Sequence, residues 1–176
     1  YNFKGISTAR GNSARYVADK YGFEYCSDKA DDLIKDEKLN TVFITTRHNL
    51  HFEYVLKALN AGKHIFVEKP LVMTERELEE VRTAYNQSDR RHLMVGFNRR
   101  FAPAVQELKK LFLDEQAKTI NMRINAGFVP ADHWVHDLAV GGGRIIGEAC
   151  HFIDLAMYIA GSKITSVYAN ALDDPN

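Results

Sequence analysis

The chain has 176 residues, of which 45% are hydrophobic, and its 23 lysines and arginines balance its 23 aspartates and glutamates. A net charge near zero gives no support for a nucleic-acid partner or for binding to an anionic membrane. The sequence contains only two cysteines, Cys26 and Cys150, which excludes a disulfide framework and favours a cytoplasmic location. The length suits one good core or two partial domains.

Residues 2–98 alternate short apolar runs with amphipathic segments. The apolar runs predict strands at 2–8, 23–26, 41–46, 64–69 and 92–98, and the amphipathic segments predict helices at 12–22, 28–37, 51–62 and 74–88. Thr74 and Glu77 have the spacing of a capping box, which marks the start of the last helix. The run 41–46 is β-branched or apolar throughout and predicts a strand that is buried on both faces. This alternation is typical of a parallel α/β sheet with helices on both faces.

The pattern changes after residue 100. The sequence predicts a helix at 101–112, an alternating, antiparallel-type strand at 118–128, a strongly apolar helix at 147–162 and a strand at 163–172. We therefore predict two domains, residues 1–100 and residues 101–176. The first is of α/β type, and the second is the start of an α+β domain.

Polar side chains stand at the carboxyl ends of three predicted strands. They are Ser7 and Thr8, Thr45 and Thr46, and Glu68 and Lys69. Ligands of open parallel sheets bind beyond these strand ends. A lysine at this place can hydrogen-bond a substrate hydroxyl and stabilise the alkoxide that forms during hydride transfer. Taken alone, a Glu-Lys-Pro tripeptide is more often a solvated pair before a turn, in which Pro70 ends the strand.

Four longer segments follow one another along the chain. They are TVFITTRHNLHFEYVL at 41–56, ALNAGKHIFVEKPL at 58–71, MVGFNRRF at 94–101 and GGGRIIGEACHFIDL at 141–155. Together they resemble the glucose–fructose oxidoreductase, inositol dehydrogenase and MocA family of nicotinamide-dependent dehydrogenases, over nearly the whole chain. They are most similar to the branch whose members are often fused behind an alcohol-dehydrogenase-like domain.

The resemblance implies a fold and an activity. Residues 1–100 would be a partial Rossmann domain that binds NAD or NADP, and residues 101–176 would be part of a mostly antiparallel substrate and dimerisation domain. The implied enzyme transfers a hydride between the nicotinamide and a sugar, cyclitol or nucleotide sugar. The implied partner is a second copy of the chain, bound through the second sheet.

The resemblance also implies roles for individual residues. Lys69 orients substrate and cofactor, and His151 acts as acid and base on the reacting hydroxyl. Cofactor contacts are implied at Ser7, Thr8, Arg10, Thr45, Thr46, His48, Asn49, Glu68, Lys69 and Asn98. Arg99 lies where the family approaches the nicotinamide and the substrate. It either holds a phosphate or carboxylate of the substrate or forms a surface salt bridge.

The segment 147–154 carries Glu148, His151 and Asp154 in steps of three, on adjoining surfaces of a helix. A histidine suits proton transfer at neutral pH, but it can also be a satisfied, semi-buried side chain. The family's usual aspartate, four residues before this histidine, is replaced by Gly147. Either Glu148, about 100° further round the helix, takes that catalytic role or the role is vacant. Asp154 is expected to be structural, with substrate binding as the alternative.

Residues 129–137 contain His133, Trp134, His136 and Asp137. Their spacing matches no common zinc motif, so we predict no metal site. Trp134 suits stacking against a sugar ring, which would make it a substrate contact. The alternative is that it anchors its loop by packing.

No G-x-G-x-x-G phosphate-binding loop occurs in the chain. That loop normally precedes the ribose-binding position, here the end of strand 2–8, by about 20 residues. We therefore expect the loop to lie before Tyr1. We also expect the chain to be a fragment that lacks the C-terminal part of the substrate domain and binds cofactor poorly or not at all. The ribose-binding position has Ser7, Thr8 and Arg10 and no acid, which favours NADP over NAD.

Two other functions are compatible with the same fold. Some relatives process glycosides through a transient oxidation by bound NAD, without net redox change. A non-enzymatic binding or regulatory domain would keep the fold and lose the chemistry, and Gly147 at the aspartate position is its main support. Variants Lys69→Ala and His151→Ala separate the enzymes from the regulatory domain, because only an enzyme would lose its activity.

Overall fold

The computed structural model describes residues 2–9, 11–89, 91–112 and 116–171. The chain divides into two compact units, residues 1–96 with 130–147 and residues 97–129 with 148–176. The first unit thus includes residues 130–147, which the sequence assigned to the second domain. Within the described residues, every helix is too short or too polar to cross a membrane.

The first unit alternates strands and helices in the predicted order. Its strands are β1 (Gly5–Ser7), β2 (Tyr25–Ser27), β3 (Thr41–Ile44), β4 (His64–Val67) and β5 (Leu93–Val95), and its helices are α1 (Gly11–Tyr21), α2 (Ala30–Lys35), α3 (His51–Asn60) and α4 (Glu75–Gln87). Short 3₁₀ turns lie at His48–Leu50 and Trp134–His136. Each of these strands is shorter than its predicted run, because only the paired residues form the ladder.

All strand pairs in the first unit are parallel. β1 pairs with β2, with Ile6 opposite Cys26. β3, β4 and β5 form a second sheet in that order, with Ile65 between Val42 and Leu93. The predicted Rossmann-like parallel fold is therefore confirmed. In the described part of the chain no ladder joins β1 to β3, so the strands form two sheets rather than one.

The core of the first unit lies between the second sheet and helices α3 and α4. Val55 and Leu59 of α3, Ile65 and Val67 of β4, and Val81 of α4 are all at most 4% exposed. Val55 and Leu59 are four residues apart, which puts them on the same face of the helix. Burial of side chains of this size stabilises the fold by roughly 1.5–3 kcal/mol each.

The strand β3 is buried on one face only, so the predicted burial on both faces is wrong. Ile44 is 3% exposed, whereas Phe43 is 56% exposed and packs against Phe66 with 5.3 Å between the ring centroids. Successive side chains of a strand point to opposite faces, and the core covers only the face of Ile44. β3 is also the edge strand of its sheet.

The predicted signals at two helix ends are present. Thr74 accepts a hydrogen bond from the backbone of Glu77, and the Glu77 carboxylate accepts one from the backbone of Thr74. This capping box satisfies two N–H groups at the start of α4. Gly62 follows α3 with a φ of 67°, a conformation that favours glycine.

The second unit is built around two helices. They are α5 (Pro103–Leu111), which follows a 3₁₀ turn at Asn98–Phe101, and α6 (Cys150–Ala160). A π-helical turn at Ile145–Ala149 precedes α6, and Gly161 ends α6 with a φ of 74°. The chain passes from the first unit to the second within this π-helical turn.

The two strands predicted for the second unit, 118–128 and 163–172, are not formed by the residues of these ranges that the structure describes. Residues 118–128 and 163–171 have no strand partner among the residues that the structure describes, and Leu172 lies outside them. An alternating sequence becomes a strand only when its N–H and C=O groups pair with a neighbouring strand. The antiparallel sheet expected for residues 101–176 is therefore absent from the described residues.

Candidate functional site

Glu68 and Lys69 follow directly after β4, at the carboxyl end of the sheet. The backbone N–H of Glu68 donates to the carbonyl of Ile44 at 2.9 Å, which joins the end of β4 to the end of β3. The Glu68 side chain lies over the end of β5, where a Cβ on Gly96 would approach its Oε2 to 3.0 Å. The ends of β3, β4 and β5 therefore meet at one edge.

The Lys69 side chain reaches a backbone carbonyl of residues 130–147. Its Nζ donates to Gly147 O at 2.6 Å. Gly147 is buried and belongs to the π-helical turn Ile145–Ala149, a rare conformation that is frequent at functional sites. The peptide bond that joins Lys69 to Pro70 is cis. The ammonium group thus has a neutral backbone acceptor at the edge of the sheet.

The 3₁₀ turn after β3 packs against residues 130–147. His48 in this turn is 8% exposed, and its Nδ1 lies 2.8 Å from Gly141 O. Because a carbonyl oxygen only accepts, Nδ1 carries a hydrogen and donates it. The backbone N–H of Asn49 donates to Val140 O at 3.1 Å. The His48 ring therefore faces the returning loop rather than solvent.

Trp134 packs against the same turn. Its ring centroid lies 4.9 Å from that of His48 at an interplanar angle of 77°, and the Arg47 guanidinium carbon lies 5.5 Å from the Trp134 centroid. These contacts are those of a loop anchored by its tryptophan, and substrate stacking by Trp134 stays a prediction. The described residues hold no group of three His, Cys, Asp or Glu side chains placed to bind a metal ion.

His51 is a site residue that the sequence reasoning missed. It is fully buried at the start of α3, with Nδ1 2.6 Å from Pro70 O and Nε2 3.0 Å from Thr46 O. The ring therefore bridges the loop after β3 and the turn after β4. Its position four residues before Val55, on the buried face of α3, was the available signal in the sequence.

The other predicted cofactor contacts of the first unit fall in two places. Thr45, Thr46 and Asn49 are exposed near the end of β3, and Ser7 and Thr8 are partly buried at the end of β1. β1 belongs to the two-stranded sheet, so its end is not joined to the ladder of β3, β4 and β5. Arg10, on which the preference for NADP rests, lies outside the described residues.

In the second unit, Arg99 and Glu148 pair with each other. Arg99 Nη2 lies 3.1 Å from Glu148 Oε1, and the Arg99 guanidinium carbon lies 4.5 Å from the Phe152 ring centroid. Exposed ion pairs of this kind contribute little to stability. The charge of Glu148, the predicted catalytic acid, and that of Arg99, the predicted anion-binding residue, therefore neutralise each other. Asn98, which begins the preceding 3₁₀ turn, is exposed.

Asp154 is held by Arg100. Arg100 Nε donates to Asp154 Oδ2 at 3.0 Å, and Arg100 Nη2 pairs with Asp154 Oδ1. The hydrogen bond to Asp154 raises the pKa of Arg100. This arrangement favours the structural role of Asp154 over substrate binding. His151, one turn earlier in α6, is 6% exposed, and its ring centroid lies 6.2 Å from that of Phe97.

Known proteins with similar sequences are oxidoreductases. A family model described as an oxidoreductase family with an NAD-binding Rossmann fold matches residues 1–97. The chain is 31% identical over 178 residues to the uncharacterized oxidoreductase YrbE of Bacillus subtilis (strain 168), covering 98% of this chain and 51% of that protein. It is 33% identical over 170 residues to the scyllo-inositol 2-dehydrogenase (NAD(+)) of the same organism, covering 92% of this chain and 48% of the relative.

A solved structure with a similar fold is a levoglucosan dehydrogenase in complex with NADH and levoglucosan. It superposes with a TM-score of 0.74 at 29% identity, over 90% of this chain and 45% of that one. The chain spans about half the length of the curated relatives it matches.

Proposed function

Because the chain belongs to the glucose–fructose oxidoreductase, inositol dehydrogenase and MocA family, we propose that the protein is an NAD(P)-dependent oxidoreductase acting on a hydroxyl of a sugar or cyclitol. The observation that carries the proposal is the parallel sheet of β3, β4 and β5 with Lys69 at its carboxyl edge. Relatives named for scyllo-inositol and levoglucosan support the class of substrate. A nucleotide sugar belongs to the same proposed class.

The first unit fits a nicotinamide cofactor. The exposed hydroxyls of Thr45 and Thr46 and the partly buried Glu68 stand at the ends of adjacent parallel strands, where open α/β sheets bind such ligands. These residues would hold the cofactor, which supplies the hydride acceptor or donor when bound. The lack of an acid at Ser7 and Thr8 supports tolerance of NADP as well as NAD.

Lys69 has the chemistry to stabilise the developing alkoxide of the substrate. An ammonium group has three N–H donors, so the bond to Gly147 O is compatible with a second bond to a substrate hydroxyl. A positive charge placed where negative charge develops lowers the barrier most in a site that excludes water. Lys69 therefore orients the hydroxyl and supports its loss of a proton.

We assign the proton transfer to His151. As the hydride leaves the carbinol carbon, the O–H bond breaks, its proton passes to the imidazole, and a C=O bond forms. Nδ1 of His151 is buried, which supports Nε2 as the atom that takes the proton. Glu148 is the alternative acid, but its ion pair with Arg99 supports a role in setting local charge.

We further propose a cytoplasmic homo-oligomer. The presence of only two cysteines suits a reducing compartment. In the second unit, Phe128, Val167 and Tyr168 are 90%, 76% and 97% exposed. A second copy of the chain is the partner that the family resemblance implies.

The experiment is cofactor reduction by the protein at its full natural length. NAD⁺ and NADP⁺ are each tested against inositols, anhydrosugars and free sugars, and binding of each cofactor is measured separately. We expect steady formation of reduced cofactor with at least one polyol. Cofactor binding without any net reduction would favour glycoside processing, and the absence of both binding and reduction would favour a regulatory domain.

A further inference from the structure

Position 147 has no room for a side chain because His48 occupies the space. A Cβ on Gly147 would lie 2.9 Å from His48 Cε1, 3.3 Å from His48 Nδ1 and 3.4 Å from Gly141 O. Carbon atoms pack best at about 3.5–4.0 Å, so the first of these contacts is strongly repulsive. Any residue other than glycine at position 147 requires the His48 ring to move.

The surroundings of the His48 ring resist such a movement. Its Nδ1 donates to Gly141 O at 2.8 Å, its edge packs on Trp134, and the His51 ring centroid lies 5.8 Å away. Gly141 is itself closely packed against the backbone of Val135, since a Cβ built on Gly141 would lie 2.5 Å from Val135 Cα. With 8% of its surface exposed, the imidazole is enclosed by groups that would all have to shift.

The backbone of Gly147 supplies an acceptor for Lys69. The Gly147 carbonyl accepts from Lys69 Nζ at 2.6 Å. The neighbouring carboxylate, Glu148, is engaged by Arg99 at 3.1 Å. The acceptor that position 147 offers to Lys69 is therefore a neutral backbone carbonyl.

We propose that His48 and Gly147 form a coupled pair that positions Lys69. The imidazole excludes side chains from position 147 and fixes the turn whose carbonyl anchors the ammonium group. The catalytic meaning of this pair rests on the proposed function. His48, predicted from the sequence as a cofactor contact, is then a positioning residue that acts through Gly147 and Lys69.

The coupling is tested by thermal unfolding of the protein at its full natural length. Gly147→Ala should lower the unfolding temperature. The decrease in the double variant His48→Ala/Gly147→Ala should be smaller than the sum of the decreases in the two single variants. The control is His136→Ala/Gly147→Ala, since His136 is an exposed histidine of the same loop, and its losses should add. Additive losses in both double variants would overturn the coupling.

The anchoring of Lys69 is tested by its rate of reductive methylation, followed by mass spectrometry. The rate at Lys69 should rise severalfold in Gly147→Ala and return towards that of the natural protein in His48→Ala/Gly147→Ala. Labelling of the exposed Lys20 should be the same in every variant. Unchanged labelling of Lys69 in Gly147→Ala would overturn the anchor.

Neither readout requires turnover, so both test the coupled pair even if no polyol is oxidised and the proposed function fails. Where turnover is found, Gly147→Ala should lower kcat by about a hundredfold, because displacement of a reactive group by about 1 Å costs that much. The KM for the cofactor should change little. A loss confined to KM, with kcat intact, would contradict the positioning role.

Discussion

Lys69 is the side chain on which the proposed chemistry depends most. Replacement by Met keeps most of the side-chain volume and removes the ammonium group, so Lys69→Met should lower kcat by about 10²–10⁴-fold. The loss of stability should stay at about 1–3 kcal/mol, because Lys69 is only partly buried and the variant removes one hydrogen bond to the buried Gly147 carbonyl. The matched control is Lys20→Met on α1, which should keep full activity. Equal activity of the two variants in steady-state assays would remove Lys69 from the mechanism.

His51 is the residue whose loss should damage both strand ends at once. His51→Ala breaks the contacts to Pro70 O and Thr46 O and opens a cavity, so we expect a destabilisation of about 2–4 kcal/mol. Chemical denaturation measures this loss directly. The control is His92→Ala, because His92 is an exposed histidine, and it should cost far less. If His51→Ala were as stable as the control, the contacts of His51 with Pro70 and Thr46 would not contribute to stability.

The sequence alone locates some site residues and not others. Lys69 is predictable because its place depends on a local event, the end of an apolar strand followed by proline. The anchoring of Lys69 by Gly147 O is not predictable, because it depends on the return of residues 130–147 to the first unit. The inward direction of His48 has the same cause, since Gly141 supplies its acceptor.

At the scale of elements, a side-chain hydrogen bond joins β2 to Asp36, the residue that follows α2. Tyr25 Oη donates to Asp36 Oδ2 at 2.7 Å. Burial, followed by this bond, raises the pKa of Tyr25 to about 12. The same bond, followed by the backbone N–H of Lys38, lowers the pKa of Asp36. Each shift means that the folded protein favours the neutral phenol and the charged carboxylate.

The pair gives a prediction for stability against pH. The raised pKa of Tyr25 stabilises the fold below about pH 10, and this contribution is lost as the pH rises towards the folded value. The lowered pKa of Asp36 stabilises the fold above about pH 4, and this contribution is lost as the pH falls further. Tyr25→Phe should therefore be less stable than the natural protein at neutral pH. This difference in stability should become smaller at both acidic and alkaline pH. Unfolding temperatures of both proteins across this range check the expectation, and a deficit independent of pH would contradict it.

Helix α6 is joined to the 3₁₀ turn Asn98–Phe101 by the ion pair of Asp154 with Arg100. Asp154→Asn leaves a guanidinium group without its charged partner, so we expect a loss of about 1–2 kcal/mol. The double variant Arg100→Leu/Asp154→Asn should recover part of the loss, because it removes the unpaired charge. Denaturant unfolding measures both. A raised KM for the polyol with unchanged stability would instead assign Asp154 to substrate binding.

Elements were predictable where their partners are close in the sequence. The strands of residues 1–96 pair with neighbours that follow after a single helix, and the capping box of α4 lies within four residues. The strands predicted at 118–128 and 163–172 depend on partners that the described residues do not contain. Alternation of apolar side chains indicates that a strand is possible, but only a partner makes it form.

At the scale of the whole molecule, the chain combines a parallel α/β unit with a helical unit, and residues 130–147 return to the first. The change of pattern near residue 100 is the sequence feature that predicts two domains. It did not predict the return, because that segment is held by contacts such as Asn49 N to Val140 O, which no local pattern encodes.

The central claim is that the protein moves a hydride from a polyol carbon to the nicotinamide. The most direct measurement uses inositols and anhydrosugars that carry deuterium on their carbinol carbons, with NAD⁺ and the protein at its full natural length. We predict that deuterium appears in the reduced nicotinamide, as detected by mass spectrometry, and that Lys69→Met slows the transfer by about 10²–10⁴-fold. Deuterium that stays entirely in the sugar while the cofactor is bound would contradict the claim.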